Sequence, residues 1–232
     1  MHAKPDLRVA LKWMIAGSGS VITDVITLKS HSMAKEVWQV LQDEAYPNMP
    51  NLWLRVRGNL KESGPAQYGF ASTTGVPQYN RFVHRFRLAK SLSAVVLDDY
   101  SDDVATKYHA GYRLFTTVTA FERFADLFGV QWYNATAHLK PAAMTDAFNE
   151  WLDTDPDQEI ATYFETRVSP QLQTRLANLK SGTGDEIFAL AVAIRHKFSH
   201  GQLASDIFWA TADFPKLALA LSNHLLDGMD IW

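Results

Sequence analysis

The sequence predicts an all-α protein, and two stretches carry that expectation. From Val104 to Phe128 apolar residues fall at Leu114, Val118, Phe121, Phe124 and Leu127, and from Gly184 to His200 they fall at Ile187, Leu190, Ala191, Ile194 and Phe198. Both runs keep the spacing of three and four that gathers side chains on one face of a helix. Each is followed directly by a glycine, Gly129 or Gly201, the residue that most readily takes the left-handed conformation ending a helix.

The other elements follow in chain order. Pro5 and Asp6 open a segment with Leu7, Leu11, Met14 and Ile15 at helical spacing, closed by a turn from Gly17 to Gly19. Those two glycines lack the third glycine and the clear preceding strand of a dinucleotide-binding loop. Val21 to Leu28 is rich in β-branched residues and suits a strand or a helix; Ser32 to Gln42, with Met33, Val37, Trp38 and Leu41 on one face, predicts a helix. Between Tyr46 and Tyr79 the prolines and glycines are dense and no helical period persists, although Leu52, Leu54 and Val56 alternate as in a short extended piece. Ala142 to Leu152 predicts a helix ending in the acidic turn Asp153 to Asp157. Ile160 to Leu176 predicts another that Pro170 kinks or splits, because proline lacks the backbone donor and clashes with the preceding turn. Asp185 is placed to cap or charge the N-terminus of the 184–200 helix, and Pro215 to Leu226 predicts the last one. Residues 1–100 read as an N-terminal extension with an irregular basic segment, and 101–232 as the main helical domain.

Composition excludes several chemistries. With 232 residues, 47% of them apolar, the chain is long enough to bury a core. The absence of cysteine removes disulfides, thiolate nucleophiles and cysteine-ligated metals. The apolar stretch Val9 to Ile15 is interrupted by Lys12 and precedes no secretory cleavage pattern. No uncharged run approaches the ~20 residues needed to cross a bilayer. The expected location is therefore the cytoplasm, without membrane association. Net charge is only −3, but it is uneven. Arg55, Arg57, Lys61, Arg81, Arg85, Arg87 and Lys90 stand against Glu62 alone between residues 51 and 90. Residues 141–165 hold Asp146, Glu150, Asp153, Asp155, Asp157, Glu159 and Glu165 and no cation.

The most pointed chemistry is in Ala193 to Leu203, where Arg195 is followed by His196, Lys197, Phe198 and Ser199 and then by His200. Arginine offers a permanently charged planar fork to phosphate oxygens. Histidine titrates near neutral pH and can exchange a proton with a ribose hydroxyl or a leaving oxygen. On an ideal helix Arg195 and His200 lie about 140° apart, so one copy does not present both on one face.

An arginine, a polar residue, three others and a histidine at a helix end resemble the motif of the HEPN superfamily, the higher-eukaryote and prokaryote nucleotide-binding domains. The Phe121-Glu122-Arg123-Phe124 segment is similar to that family's first long helix, and the resemblance covers roughly Asp102 to Trp232. It implies a HEPN-like helical bundle acting as a metal-independent endoribonuclease of the toxin or phage-defence kind, which cleaves RNA to 2',3'-cyclic phosphate ends. Carried over by position, His200 is the acid/base, Arg195 binds phosphate, His196 supports them and Glu122 approaches the motif. The resemblance also implies a homodimer whose two motifs line one cleft, RNA as partner, an antitoxin or regulatory protein as a further partner, and no cofactor. A non-catalytic module that binds nucleotide or RNA, or scaffolds a partner, is the alternative.

Plainer roles exist for the same residues. Arg195 can pair with an acid on a neighbouring helix, and His200 can cap the last carbonyls of its own helix. Glu122 can be an exposed helix residue. His196 and His200, four apart, have the spacing of a zinc-binding helix but lack the usual adjacent glutamate. The cluster Arg81, His84, Arg85, Arg87 and Lys90, interleaved with Phe82 and Phe86, has the composition of an RNA-binding surface and, with Lys197, supplies candidate phosphate contacts. Equally, Phe82 and Phe86 can be core residues beneath a solvated basic face. Trp132, Trp151, Trp209 and Trp232 read as core or subunit-contact residues.

Overall fold

The computed structural model describes residues 47–96, 98–200 and 213–231. The helices expected near 5–15 and 32–42, the ambiguous 21–28 segment, Gly201, Trp209 and Trp232 lie outside the described residues. The chain divides into two units, Met1–Gln42 and Asp43–Trp232, and every described residue belongs to the second. Among the described residues there are nine α-helices, three short 3-10 turns and no strand.

The first two helices are α1 (Trp53–Glu62) and α2 (Val76–Ser91). The extended piece expected over Leu52 to Val56 is instead the start of α1. Val56 and Leu60 are its buried residues, so the apolar pattern that counts has a spacing of four, not two. The backbone N–H of Gly75 donates to Gln78 Oε1 at 3.2 Å as α2 begins, and Pro77 stands in the first turn, where its missing N–H costs nothing. Tyr79, Phe82, Val83, Phe86 and Ala89 make the inner face of α2.

α3 (Asp102–Phe128) is the central strut. Ser101 Oγ accepts from Val104 N at its start, and Gly129 ends it at φ 67, with its N–H directed to Ala125 O and Asp126 O. α2 and α9 (Asp213–Met229) make its most extensive packing, with α8 (Ile187–Ser199) against a further side. Two contacts give the direction of α2. Phe82 meets Phe124 at 5.6 Å between ring centroids, and Arg113 Nη1 donates to Leu92 O at 2.8 Å, so α2 runs antiparallel to α3. α8 is antiparallel as well, with Phe188 near Phe121 and Phe198 near Tyr112.

The short α4 (Trp132–Ala135) leads into α5 (Pro141–Thr154), which packs on α9. The acidic turn after α5 has a structural use: Asp155 accepts from Trp151 Nε1 at 3.1 Å and from Ile160 N at 3.2 Å. A carboxylate thus sits at the positive end of α6 (Glu159–Glu165). Pro170 splits the expected 160–176 helix outright, becoming the first residue of α7 (Pro170–Lys180). Asp185 falls in a 3-10 turn, Gly184–Glu186, and makes no side-chain cap for α8.

α8 is buried nearly all round. Ile187, Phe188, Ala189, Leu190, Ala191, Ala193 and Ile194 are all out of water, enclosed by α3, α5, α6, α7 and α9. Such a helix is a core element. Before Arg195 only Val192 is partly open to solvent; the last turn, from Arg195 onward, reaches the surface.

Candidate functional site

The site is the emerging end of α8 and the stretch of α3 beneath it. Arg195 leans onto α3. Its guanidinium lies 5.5 Å from the Phe115 ring centroid, and Nη2 donates to Glu122 Oε2 at 3.2 Å. Phe115 and Glu122 are seven apart, two turns along one helix face, so the arginine lies along α3 rather than standing off it. About a quarter of the Arg195 side chain (26%) and a third of Glu122 (33%) remain open to solvent. The Arg195 Nε is buried with no hydrogen-bond partner among the described residues. An arginine held by one carboxylate and one ring has little rotational freedom left, which is what a phosphate-binding fork requires.

His196 and His200 lie together on the solvent side, ring centroids 4.6 Å apart and nearly edge to face. Partial burial, then the neighbouring His200, Lys197 and Arg195, lowers the pKa of His196 below the ordinary histidine value. Ser199 Oγ donates to His196 O at 2.8 Å within the last turn. Lys197 is half-buried. Among the described residues no third His, Asp or Glu joins the two imidazoles in a group that could hold a metal ion.

The basic cluster on α2 resolves into two layers. Phe82 and Phe86 are fully buried, Phe82 packing on both Phe124 and Phe86, so they take no part in stacking RNA bases. Exposing one such ring would forfeit about 1.5–3 kcal/mol of burial. Arg81, His84 and Arg85 are exposed, and Arg87 is half-exposed. Lys90 is committed partly to the fold, 3.9 Å from Asp230 and 5.4 Å above the Phe86 ring. Because α2 and α8 both run against α3, the C-terminal turns of α2 lie toward the same end of the bundle as Phe198, whereas Arg81 is near the level of Phe124.

An aromatic contact seats the middle of the motif. Phe198, between the two histidines, packs edge-on against Tyr112 at 5.0 Å and Tyr108 at 6.5 Å; Tyr108 in turn stacks with Tyr112 at 6.3 Å. Gly111 makes the approach possible, since a Cβ there would overlap the Phe198 ring. Two aromatics four apart around a glycine in mid-helix are the sequence signal that marks this seat.

Fold and site together define an all-α bundle whose buried central helix ends in a surface-exposed Arg-His-x3-His turn, braced by an acid from the longest helix. The chain matches no family model, no curated protein and no solved structure. Among the described residues no helix is long and apolar enough to cross a membrane.

Proposed function

We propose that the chain is a metal-independent endoribonuclease of the HEPN kind, acting as a homodimer on RNA. The observation that carries this reading is the Arg195–Glu122 bridge, which fixes the motif arginine against the long helix at the same helix end where His196 and His200 are exposed. His200 takes the proton of a ribose 2'-hydroxyl, and the freed oxygen attacks the adjacent phosphorus. Arg195 stabilises the charge that builds on the phosphoryl oxygens. The bond to the 5'-oxygen breaks as that oxygen gains a proton from a second acid, leaving a 2',3'-cyclic phosphate and a 5'-hydroxyl. In a two-fold dimer the partner's copy of the motif supplies that acid, and His196 supports the base from beside it, ring centroids 4.6 Å apart. The toxin or defence setting, with an antitoxin or regulator as partner, belongs to this reading through the resemblance alone.

The test is cleavage of end-labelled single-stranded RNA by pure protein in EDTA, with Arg195→Ala and His200→Ala alongside. Cyclic-phosphate ends from wild type, and losses of about 100-fold or more in both variants, are expected. If folded wild type is as inert as both variants, the prior pairing of Arg195 with Glu122 favours the second reading, a non-catalytic nucleotide-binding or scaffold module.

A further inference from the structure

Beside the candidate phosphate site lies a set of rings that the cleavage chemistry does not use. Tyr112 is 44% exposed, a large fraction for an aromatic residue in the middle of the longest helix. Behind it are Tyr108 and Phe198, both half-buried, with Tyr100 edge-on to Tyr108 at 6.3 Å. Phe198 belongs to the same helical turn as the motif, three residues after Arg195 and two before His200, so these rings are anchored to the residues proposed to grip the phosphate.

We propose that Tyr112, backed by Tyr108 and Phe198, is a stacking platform that seats one base of single-stranded RNA beside the phosphate held by Arg195. The inference rests on RNA being the ligand of that site. An exposed ring wedged by others in fixed edge-on and stacked contacts presents a π-face at little entropic cost, and every base has a face to match. The α8 side of the rim carries Arg195, bridged to Glu122, and Lys197, the sign that a nucleic acid needs; Arg113, next to Tyr112 in sequence, is turned away to Leu92 O and Asn223 Oδ1. Tyr100 is excluded from the platform. It is flanked by Asp98, Asp99, Asp102 and Asp103, of which, among the described residues, only Asp103 is offset, by Lys107 at 2.6 Å, so a phosphate backbone is repelled there. The platform also takes over the role that composition offered to Phe82 and Phe86, which the core has claimed.

The experiment measures binding separately from cleavage. Full-length chain carrying His200→Ala is titrated into a short fluorescent single-stranded RNA, and into the same sugar-phosphate backbone without bases, by anisotropy. Tyr112→Ala is expected to weaken binding of the base-bearing RNA by about 10-fold or more and to leave the abasic backbone unchanged; Tyr112→Phe keeps the affinity. Equal affinity of Tyr112→Ala and its parent for the base-bearing RNA overturns the platform and leaves the nuclease reading standing. Conversion of a dimer to a monomer by Tyr112→Ala makes this face a subunit contact and overturns it also. Absence of RNA binding by any chain removes platform and RNA ligand together. Binding that depends on Tyr112, without any His200-dependent cleavage in the EDTA assay, retains the platform and removes the nuclease.

Discussion

Among single residues, Glu122 has the most to decide. Its bridge to Arg195 is partly solvated, and such pairs contribute about 1 kcal/mol or less to stability. Glu122→Ala should therefore leave the urea midpoint nearly unchanged. The same change frees the guanidinium from its brace, so RNA cleavage should fall about 10-fold or more through lost positioning. Glu122→Gln, which can still accept a hydrogen bond, should retain an intermediate rate. A large loss of stability in Glu122→Ala would instead mark the bridge as a fold element. Arg195 and Glu122 were both legible as candidates in the sequence, one from a spaced motif and the other from the Phe-Glu-Arg-Phe segment. The resemblance brings Glu122 near the motif, and a pairing of Arg195 with some acid on a neighbouring helix is the plainer reading. That these two side chains meet each other was decided by packing, because sequence patterns state what each helix exposes and not which rotamers meet.

Between elements, the α3–α8 crossing is set by one missing Cβ. Gly111→Ala would ordinarily stabilise a helix interior by about 0.5–1 kcal/mol through propensity. Here the added methyl meets the Phe198 ring, and overpacking of this sort costs about 1–3 kcal/mol. The expected sign is reversed: thermal unfolding of Gly111→Ala should occur at a lower temperature than wild type. In the Phe198→Ala background the same substitution should be neutral or stabilising, and additive effects in this double-mutant cycle would deny the contact. Sequence spacing predicted both helices and the Gly129 stop. It misread α1 as partly extended, because a five-residue alternation is too short to outweigh the burial of Val56 and Leu60 one turn apart. It placed Phe198 on the apolar stripe of α8, and the residue does pack against the core, half-buried, as the helix emerges.

At the level of the whole molecule, three histidines sit where burial disfavours their charge. Desolvation lowers the pKa of His138, whose ring lies flat on Phe128 at 3.8 Å, and of His196; His109 is lowered by burial and then by Arg113. With folded values below the ordinary 6.5, the unfolded chain binds protons first as pH falls. Stability is then undiminished by these groups above about pH 6.5, declines as pH drops through it, and levels once the folded values are passed. Urea midpoints measured from about pH 7.5 to 5 should show this decline, and His138→Asn should flatten part of it. A midpoint constant through that window, or a slope unchanged in the variant, would contradict the assignment.

The sequence by itself determined that the described part of this protein is helical, where α3 stops, that Pro170 interrupts a helix by a kink or a split, and that Arg195, His196 and His200 stand at a helix end. All of these follow from periodicity and backbone chemistry within a few turns of chain. Only the tertiary structure decided that α8 is buried nearly all round up to Arg195, that Phe82 and Phe86 belong to the core while Tyr112 is left exposed, and that Glu122 reaches Arg195 across 73 positions. The physical reason is that a helix carries its amphipathic pattern locally, whereas its partner, and the ring or carboxylate that partner brings, is chosen by packing among segments far apart in the chain.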